Sequence, residues 1–242
     1  MTRTAYFDGP LPRILAHRGL TAGAPENSLF AFRDALRLPG VVLETDARAT
    51  ADGVAVLVHD PHPPGWAAPV ARTVLVDVMD HHPGVTTLTA ALTSFPDARF
   101  NIDVKDGRAA IPVAAAIRSA RAEQRVLITS FRDARRRAAL RRLPPVATSA
   151  SGERIALALL GLRLRSRRLV RAALAGTDAV QIPERLAGLD ATAPAVIELL
   201  HAAGVEVHFW VINDPDRMRE LVRRGADGIV TDVPDVAAAA LR

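Results

Sequence analysis

No cysteine occurs among the 242 residues, which excludes disulfides, thiolate metal sites and cysteine nucleophiles; any bound metal must rest on oxygen or imidazole. Aromatic residues make up only 4% of the chain, too few for a stacking platform. With the arginines spread along the chain, the net charge of +5 and pI near 10.9 do not form the footprint of a nucleic-acid-binding protein. No apolar run is long enough to cross a bilayer, and the opening MTRTAYFDGPLPR has no basic stretch followed by an apolar one, so a cytoplasmic protein is expected. Lysine is nearly missing as well: Lys105 stands alone against thirty arginines.

What is present is a chain with 49% hydrophobic residues, enough for a sizeable core, read as a single domain over residues 1–242. Short β-branched or apolar runs alternate with alanine- and arginine-rich amphipathic stretches, the pattern of repeated strand–helix units around a parallel sheet. Eight such runs are expected as strands, at residues 13–19, 41–47, 98–105, 125–130, 145–150, 178–184, 205–213 and 228–233. Helices are expected over 28–38 and 215–224, the second behind an Asn213-Asp214 cap followed by proline. Eight repeats in this length predict an α/β TIM (β/α)₈ barrel, with a short inserted segment after the hairpin of the second strand. Such a barrel carries its chemistry at the C-terminal ends of its strands.

The polar residues fall where that rule puts them. ILAHRG ends its apolar run on His17 and Arg18, and Gly19 permits a tight turn. In VVLETDA, Glu44 and Asp46 are two apart and share one strand face; Asp103 and Lys105 repeat that spacing in FNIDVKD. Asp52-Gly53 signals a hairpin that returns the chain to His59-Asp60, where Asp60 reads either as part of an Asx turn or as the group that fixes the imidazole tautomer. Three carboxylates and two histidines thereby converge from three segments. Hard oxygen donors without thiolate suit Mg²⁺ or Ca²⁺, and two imidazoles beside a metal can act as general acid and base.

Lys105 beside Asp103 reads as a compact point charge for a phosphate oxygen, where a forked guanidinium would need more room, with Arg18 gripping the phosphate from the opposite side. Other features have plainer readings. Pro25-Glu26-Asn27 reads as the loop and N-terminal cap of the first helix, Glu26 near its positive end and a candidate support for the site. His62, His81 and His82 fall in an irregular segment and read as solvated. His208, Trp210 and Ile212 share one strand face, which makes Trp210 a candidate wall for substrate. Residues 155–170, IALALLGLRLRSRRLV, read first as an outer barrel helix; weak adsorption to anionic lipid is the other reading.

AHRG, PENSLFAF, LETDARATADGVAVLVHDP, FNIDVK and VHFWVINDPDRMRELVRRGADGIVTDVPD together resemble the glycerophosphodiester phosphodiesterase family in order and spacing, over nearly the whole chain. The resemblance implies a barrel hydrolase that cleaves glycerophosphodiesters, derived from deacylated phospholipids, to an alcohol and sn-glycerol 3-phosphate with Mg²⁺ or Ca²⁺. It further implies metal ligands at Glu44, Asp46 and Asp103, an acid–base pair at His17 and His59, and phosphate contacts at Arg18 and Lys105. Attack by the glycerol's own hydroxyl, through a cyclic phosphate, and attack by water are both open. The chain departs from the family in carrying Asp103 where glutamate is usual, in the segment after Pro61, and in the valine of TDVPD. Two other readings share the layout: lysophospholipase D or sphingomyelinase D-like action on acylated lipids, with a groove built by Trp66, Trp210 and the segment after Pro61, and a barrel that binds phosphodiesters or lipid surfaces without turnover.

Overall fold

The computed structural model describes residues 4–241. Its strands are β1 (Arg13–His17), β2 (Val42–Ala49), β3 (Ala55–Leu57), β4 (Phe100–Val104), β5 (Val126–Thr129), β6 (Ala147–Thr148), β7 (Ala179–Ile182), β8 (Arg185–Leu186), β9 (Leu189–Asp190), β10 (Glu206–Phe209) and β11 (Gly228–Thr231). The helices are α1 (Leu29–Ala35), α2 (Leu75–His81), α3 (Leu88–Ser94), α4 (Ala110–Ser119), α5 (Asp133–Leu140), α6 (Gly152–Arg163), α7 (Arg167–Leu174), α8 (Pro194–His201), α9 (Pro215–Arg223) and α10 (Pro234–Ala240).

Eight strands run parallel in the order β6-β5-β4-β2-β1-β11-β10-β7. The ends of that ribbon meet: Ser149 bridges Ala179, and the Asp178 amide donates to the Thr148 carbonyl at 2.8 Å. The sheet is therefore a TIM-type barrel, and all eight expected strands are its staves. β3 lies outside the ring, antiparallel to β2, behind the Asp52-Gly53 turn.

Period-two alternation divides the strand side chains between two cores. Outward residues such as Leu43, Ile102, Ile128 and Phe209 pack against the helical layer in the main core. Inward residues Leu15, Val42, Leu127, Ala147, Ala179 and Val230 join Tyr6 and Phe7 in a smaller cluster that fills the barrel. Burial holds the Tyr6 phenol well above its ordinary pKa. Arg13 reaches across this interior to Glu206, Nε to Oε2 at 2.7 Å. The N-terminal half of the barrel is thus closed by packed and paired groups, and the open volume lies at the other end.

Three local expectations are corrected. The cap of α1 is Ser28, whose side chain accepts from the Ala31 amide, whereas Asn27 takes a left-handed φ of 56° and turns its amide toward β2. The segment after Pro61 is not wholly irregular: it contains α2 and a cluster of Trp66, Val70 and Val78, and His82 stacks on Trp66 at 4.2 Å. Finally β10 stops at Phe209, so its alternation does not reach Ile212, which is buried in the main core.

Candidate active site

Strand register assembles the site. β1 pairs with β2 so that His17 lies opposite Glu44, and β2 pairs with β4 so that Asp46 lies opposite Asp103. All four point inward at the C-terminal rim, with Arg18, His59 and Lys105, around a cavity of about 600 Å³. Gly19 is required by the turn behind His17-Arg18: its φ is 94°, and a Cβ there would fall 2.7 Å from that of Ala31.

Both imidazoles are oriented through Nδ1. His17 Nδ1 is 2.6 Å from Asp232 Oδ1, and His59 Nδ1 is 2.8 Å from Asp60 Oδ1. A carboxylate on Nδ1 holds the proton there and leaves Nε2 free to exchange one. His17 Nε2 stands 4.0 Å from Glu44 Oε2, inside the cavity.

Between the histidines lies a cluster of carboxylates and cations. Lys105 Nζ bridges Asp46 Oδ1 at 2.9 Å and Asp103 Oδ2 at 2.8 Å. Arg18 Nε is 3.1 Å from Asp46 Oδ2, and its Nη1 donates to Glu26 Oε2 at 2.7 Å. Glu26 therefore positions Arg18 from the rim and does not line the cavity. Burial would raise the Asp46 pKa, but Lys105 and Arg18 outweigh it and hold the carboxyl below its usual range. Lys105 is held above its ordinary value, because Asp103 and Asp46 outweigh the cost of burying its charge. Asp103 stays raised, with burial exceeding the help from Lys105.

Glu44 is the uncompensated member. Burial first, then the charges of Asp46 and Asp103, push its pKa well above the carboxylate range; its nearest donor is the Arg18 amide at 3.2 Å. Three inward carboxylates face two cations, one of which is shared with Glu26. Asp103 Oδ1 and Asn101 Oδ1, two residues apart on one face of β4, are buried without a hydrogen-bond partner. Hard oxygen donors with a charge deficit and unfilled acceptors suit a divalent cation of the Mg²⁺ or Ca²⁺ kind. Among the described residues, no three His, Asp or Glu groups are set to hold a metal as they stand; the Lys105 ammonium occupies the space between Asp46 and Asp103.

A repeated device, not expected from the sequence, supports these groups. Asn27 Oδ1 accepts from Thr45 Oγ1 at 2.7 Å and the Asp46 amide at 3.4 Å, while Nδ2 donates to Asp46 Oδ2 at 3.3 Å. Asn213 repeats the pattern at the other Thr-Asp strand end: Oδ1 accepts from Thr231 Oγ1 and the Asp232 amide, both at 2.9 Å, and Nδ2 donates to Asp232 Oδ2 at 2.8 Å. One clamp orients the carboxylate that binds the cations, the other the carboxylate behind His17. Asn213 and His17 also outweigh burial and keep Asp232 below the usual carboxylate range. A compositional signal was available, since the chain's three asparagines, at 27, 101 and 213, all lie at this rim.

The opposite side of the cavity is apolar. Phe131, Ile155, Leu159, Leu186, Trp210 and Val211 line it, with Phe131 and Trp210 edge-to-face at 6.3 Å between ring centroids. Trp210 is thus where a substrate wall was expected. Trp66 is not: it is buried under the inserted segment, and no residue of that segment lines this cavity.

A family model described as the glycerophosphoryl diester phosphodiesterase family matches residues 17–90 and 75–236. A probable glycerophosphodiester phosphodiesterase 2 of Mycobacterium tuberculosis is 41% identical, over 92% of this chain and 88% of its own. A glycerophosphodiester phosphodiesterase of Agrobacterium tumefaciens, with 25% identity, superposes with a TM-score of 0.77 over 95% of this chain and 100% of its own. An Oleispira antarctica phosphodiesterase solved with the product sn-glycerol-3-phosphate has a TM-score of 0.74 at 20% identity, covering 96% of this chain and 97% of its own, and shares the fold.

Proposed function

The chain belongs to the glycerophosphoryl diester phosphodiesterase family, and from that premise we propose that it hydrolyses glycerophosphodiesters to sn-glycerol 3-phosphate and the leaving alcohol, with a divalent cation, Mg²⁺ or Ca²⁺, at Glu44, Asp46 and Asp103. The observation that carries this reading is the pair of histidines, each with a carboxylate on Nδ1, lining one cavity with Arg18 and Lys105. One imidazole takes the proton of the attacking hydroxyl, whether from the glycerol or from water. The other delivers a proton to the leaving alcohol oxygen as its bond to phosphorus breaks, so that proton loss and gain balance; where the glycerol hydroxyl attacks, water then opens the cyclic phosphate, the imidazoles exchanging roles, to give sn-glycerol 3-phosphate. Arg18 and Lys105 place fixed positive charge beside the phosphoryl oxygens, where negative charge builds up in the transition state. A bound cation would add Lewis-acid polarisation of the same oxygens. Its charge would also supply what Glu44 lacks, since that carboxyl faces two others without a cationic partner of its own.

The test is sn-glycerol 3-phosphate release from glycerophosphocholine and glycerophosphoglycerol by purified protein, with Mg²⁺, Ca²⁺ or chelator. Release that chelator abolishes and added cation restores is expected. Full turnover in chelator would remove the cation from the reading, and absence of release under every condition would overturn the activity.

A further inference from the structure

We propose that the α6–α7 hairpin, beside the mouth of the cavity, docks on an anionic phospholipid surface. α6 has two occupied directions and one open one. Ile155, Ala156 and Leu159 line the cavity. Ala158, Gly161 and Leu162 face the interior, and Gly161 is packed so closely that a Cβ would lie 2.8 Å from the Val170 backbone of α7. Leu157, Leu160 and Leu164, spaced three and four apart on the remaining face, are 67%, 60% and 62% exposed. Since α7 already covers the inward face, these leucines have no place in the core. An exposed leucine stripe of this kind loses favourable burial unless something apolar covers it.

The charge around the stripe says what covers it. Between Glu153 and Asp178 there is no acidic residue, whereas Arg154, Arg163, Arg165, Arg167, Arg168 and Arg171 fall within that span. Arg165, Arg167 and Arg168 are exposed at and just beyond the turn between the two helices. A helix face of leucines ringed by arginines is complementary to a bilayer of anionic headgroups: the leucines enter the acyl boundary and the guanidiniums remain with the phosphates. Phe131 and Val211, also exposed, lie at the cavity lining. The apolar stripe therefore continues into the site by way of Ala156, and a docked molecule would hold its cavity mouth near the lipid.

Sedimentation with vesicles tests this, using phosphatidylcholine alone and equal parts phosphatidylcholine and phosphatidylglycerol, at low and high salt. Two variants are compared with the parent chain: Leu157→Ser/Leu160→Ser/Leu164→Ser, and Arg165→Gln/Arg167→Gln/Arg168→Gln. The parent chain is expected to pellet with the anionic vesicles and to be released by salt. Each triple variant should partition at least about tenfold less, with release of sn-glycerol 3-phosphate from soluble glycerophosphocholine unchanged. That soluble assay reports on the catalytic reading separately. No pelleting of the parent chain with anionic vesicles overturns the proposal, as does pelleting unchanged in both variants. A parent dimer in light scattering that becomes a monomer in the leucine variant, without vesicle binding, would overturn it in favour of a second copy of the chain.

Discussion

On one side of the cavity β1, β2 and β4 present His17, Glu44, Asp46, Asp103 and Lys105; on the other, α6 and the loops after β5, β7 and β10 present Ile155, Leu159, Phe131, Leu186 and Trp210. The cavity-lining groups of the charged side come from the first half of the chain, while Asn213 and Asp232 from its last segments back them, and the whole is held by short polar contacts, two asparagine clamps included. The apolar side comes from the second half and is held by packing. In the proposed reaction, bond making and breaking at phosphorus needs fixed charge and a proton relay, which the first side would supply. Contact with an alcohol of variable structure needs only shape and area, which the second would supply. Under the proposed function, rate and alcohol preference rest on different groups of residues and should respond separately to mutation.

The largest effect should come from the charged side. His17→Ala removes one member of the proposed acid–base pair and is expected to lower kcat by ~10²–10⁴-fold with little change in KM. Asp232→Asn keeps the ring but alters the hydrogen bond that fixes its Nδ1 proton, so a smaller kcat loss of about 10–100-fold is expected, with an altered pH profile. Steady-state kinetics on glycerophosphocholine reads both. A loss below tenfold in His17→Ala would take the relay away from this side and break the comparison.

A smaller and different effect is expected from the apolar wall. Leu159→Ala combined with Trp210→Ala should raise KM about tenfold for diesters with a bulky apolar alcohol, as the loss of apolar contact implies. Turnover of glycerophosphoglycerol should stay within about twofold, because its small polar alcohol does not engage that wall. Equal losses on both substrates would mean that the wall supports the charged groups, and the two sides would no longer be separable.

The two sides also differed in how far the sequence revealed them. A charged residue at the end of an apolar run is conspicuous, and period-two spacing places Glu44 with Asp46, and Asp103 with Lys105, on one face before any coordinates are known. The eight staves were legible for the same reason. Ile155 and Leu159 were not, because an amphipathic helix has the same hydropathy whether its apolar face meets a core or an open cavity. The β8–β9 hairpin that brings Leu186 to the wall was hidden because its turn places Ala187 at φ 45° before Gly188, and alanine is not a residue that advertises a left-handed turn. Asp232 was missed although it ends a strand, since its partner His17 is 215 residues away and no local pattern joins them.

The smallest predicted effect concerns a carboxylate that sits beyond the apolar wall. Asp133 opens α5, accepts from Arg136 at 2.7 Å, pairs with Arg137 at 2.6 Å and receives the Ser151 hydroxyl at 3.3 Å. Burial alone would raise its pKa, but the Arg136 hydrogen bond and the charges of Arg136 and Arg137 outweigh that and lower it. A carboxyl whose folded pKa is depressed stabilises the fold above its unfolded value and loses that contribution as pH falls through the folded one. Asp133→Asn should therefore destabilise the protein by about 0.5–1 kcal/mol at neutral pH, discounted for solvent screening, and the deficit should shrink as pH falls below 3.8, the ordinary value of an aspartate. Urea unfolding at several pH values reads this directly. Kinetic constants should not move, because Asp133 lies outside the cavity lining; a kcat change with unaltered stability would mean that the charged machinery extends past the apolar wall to α5.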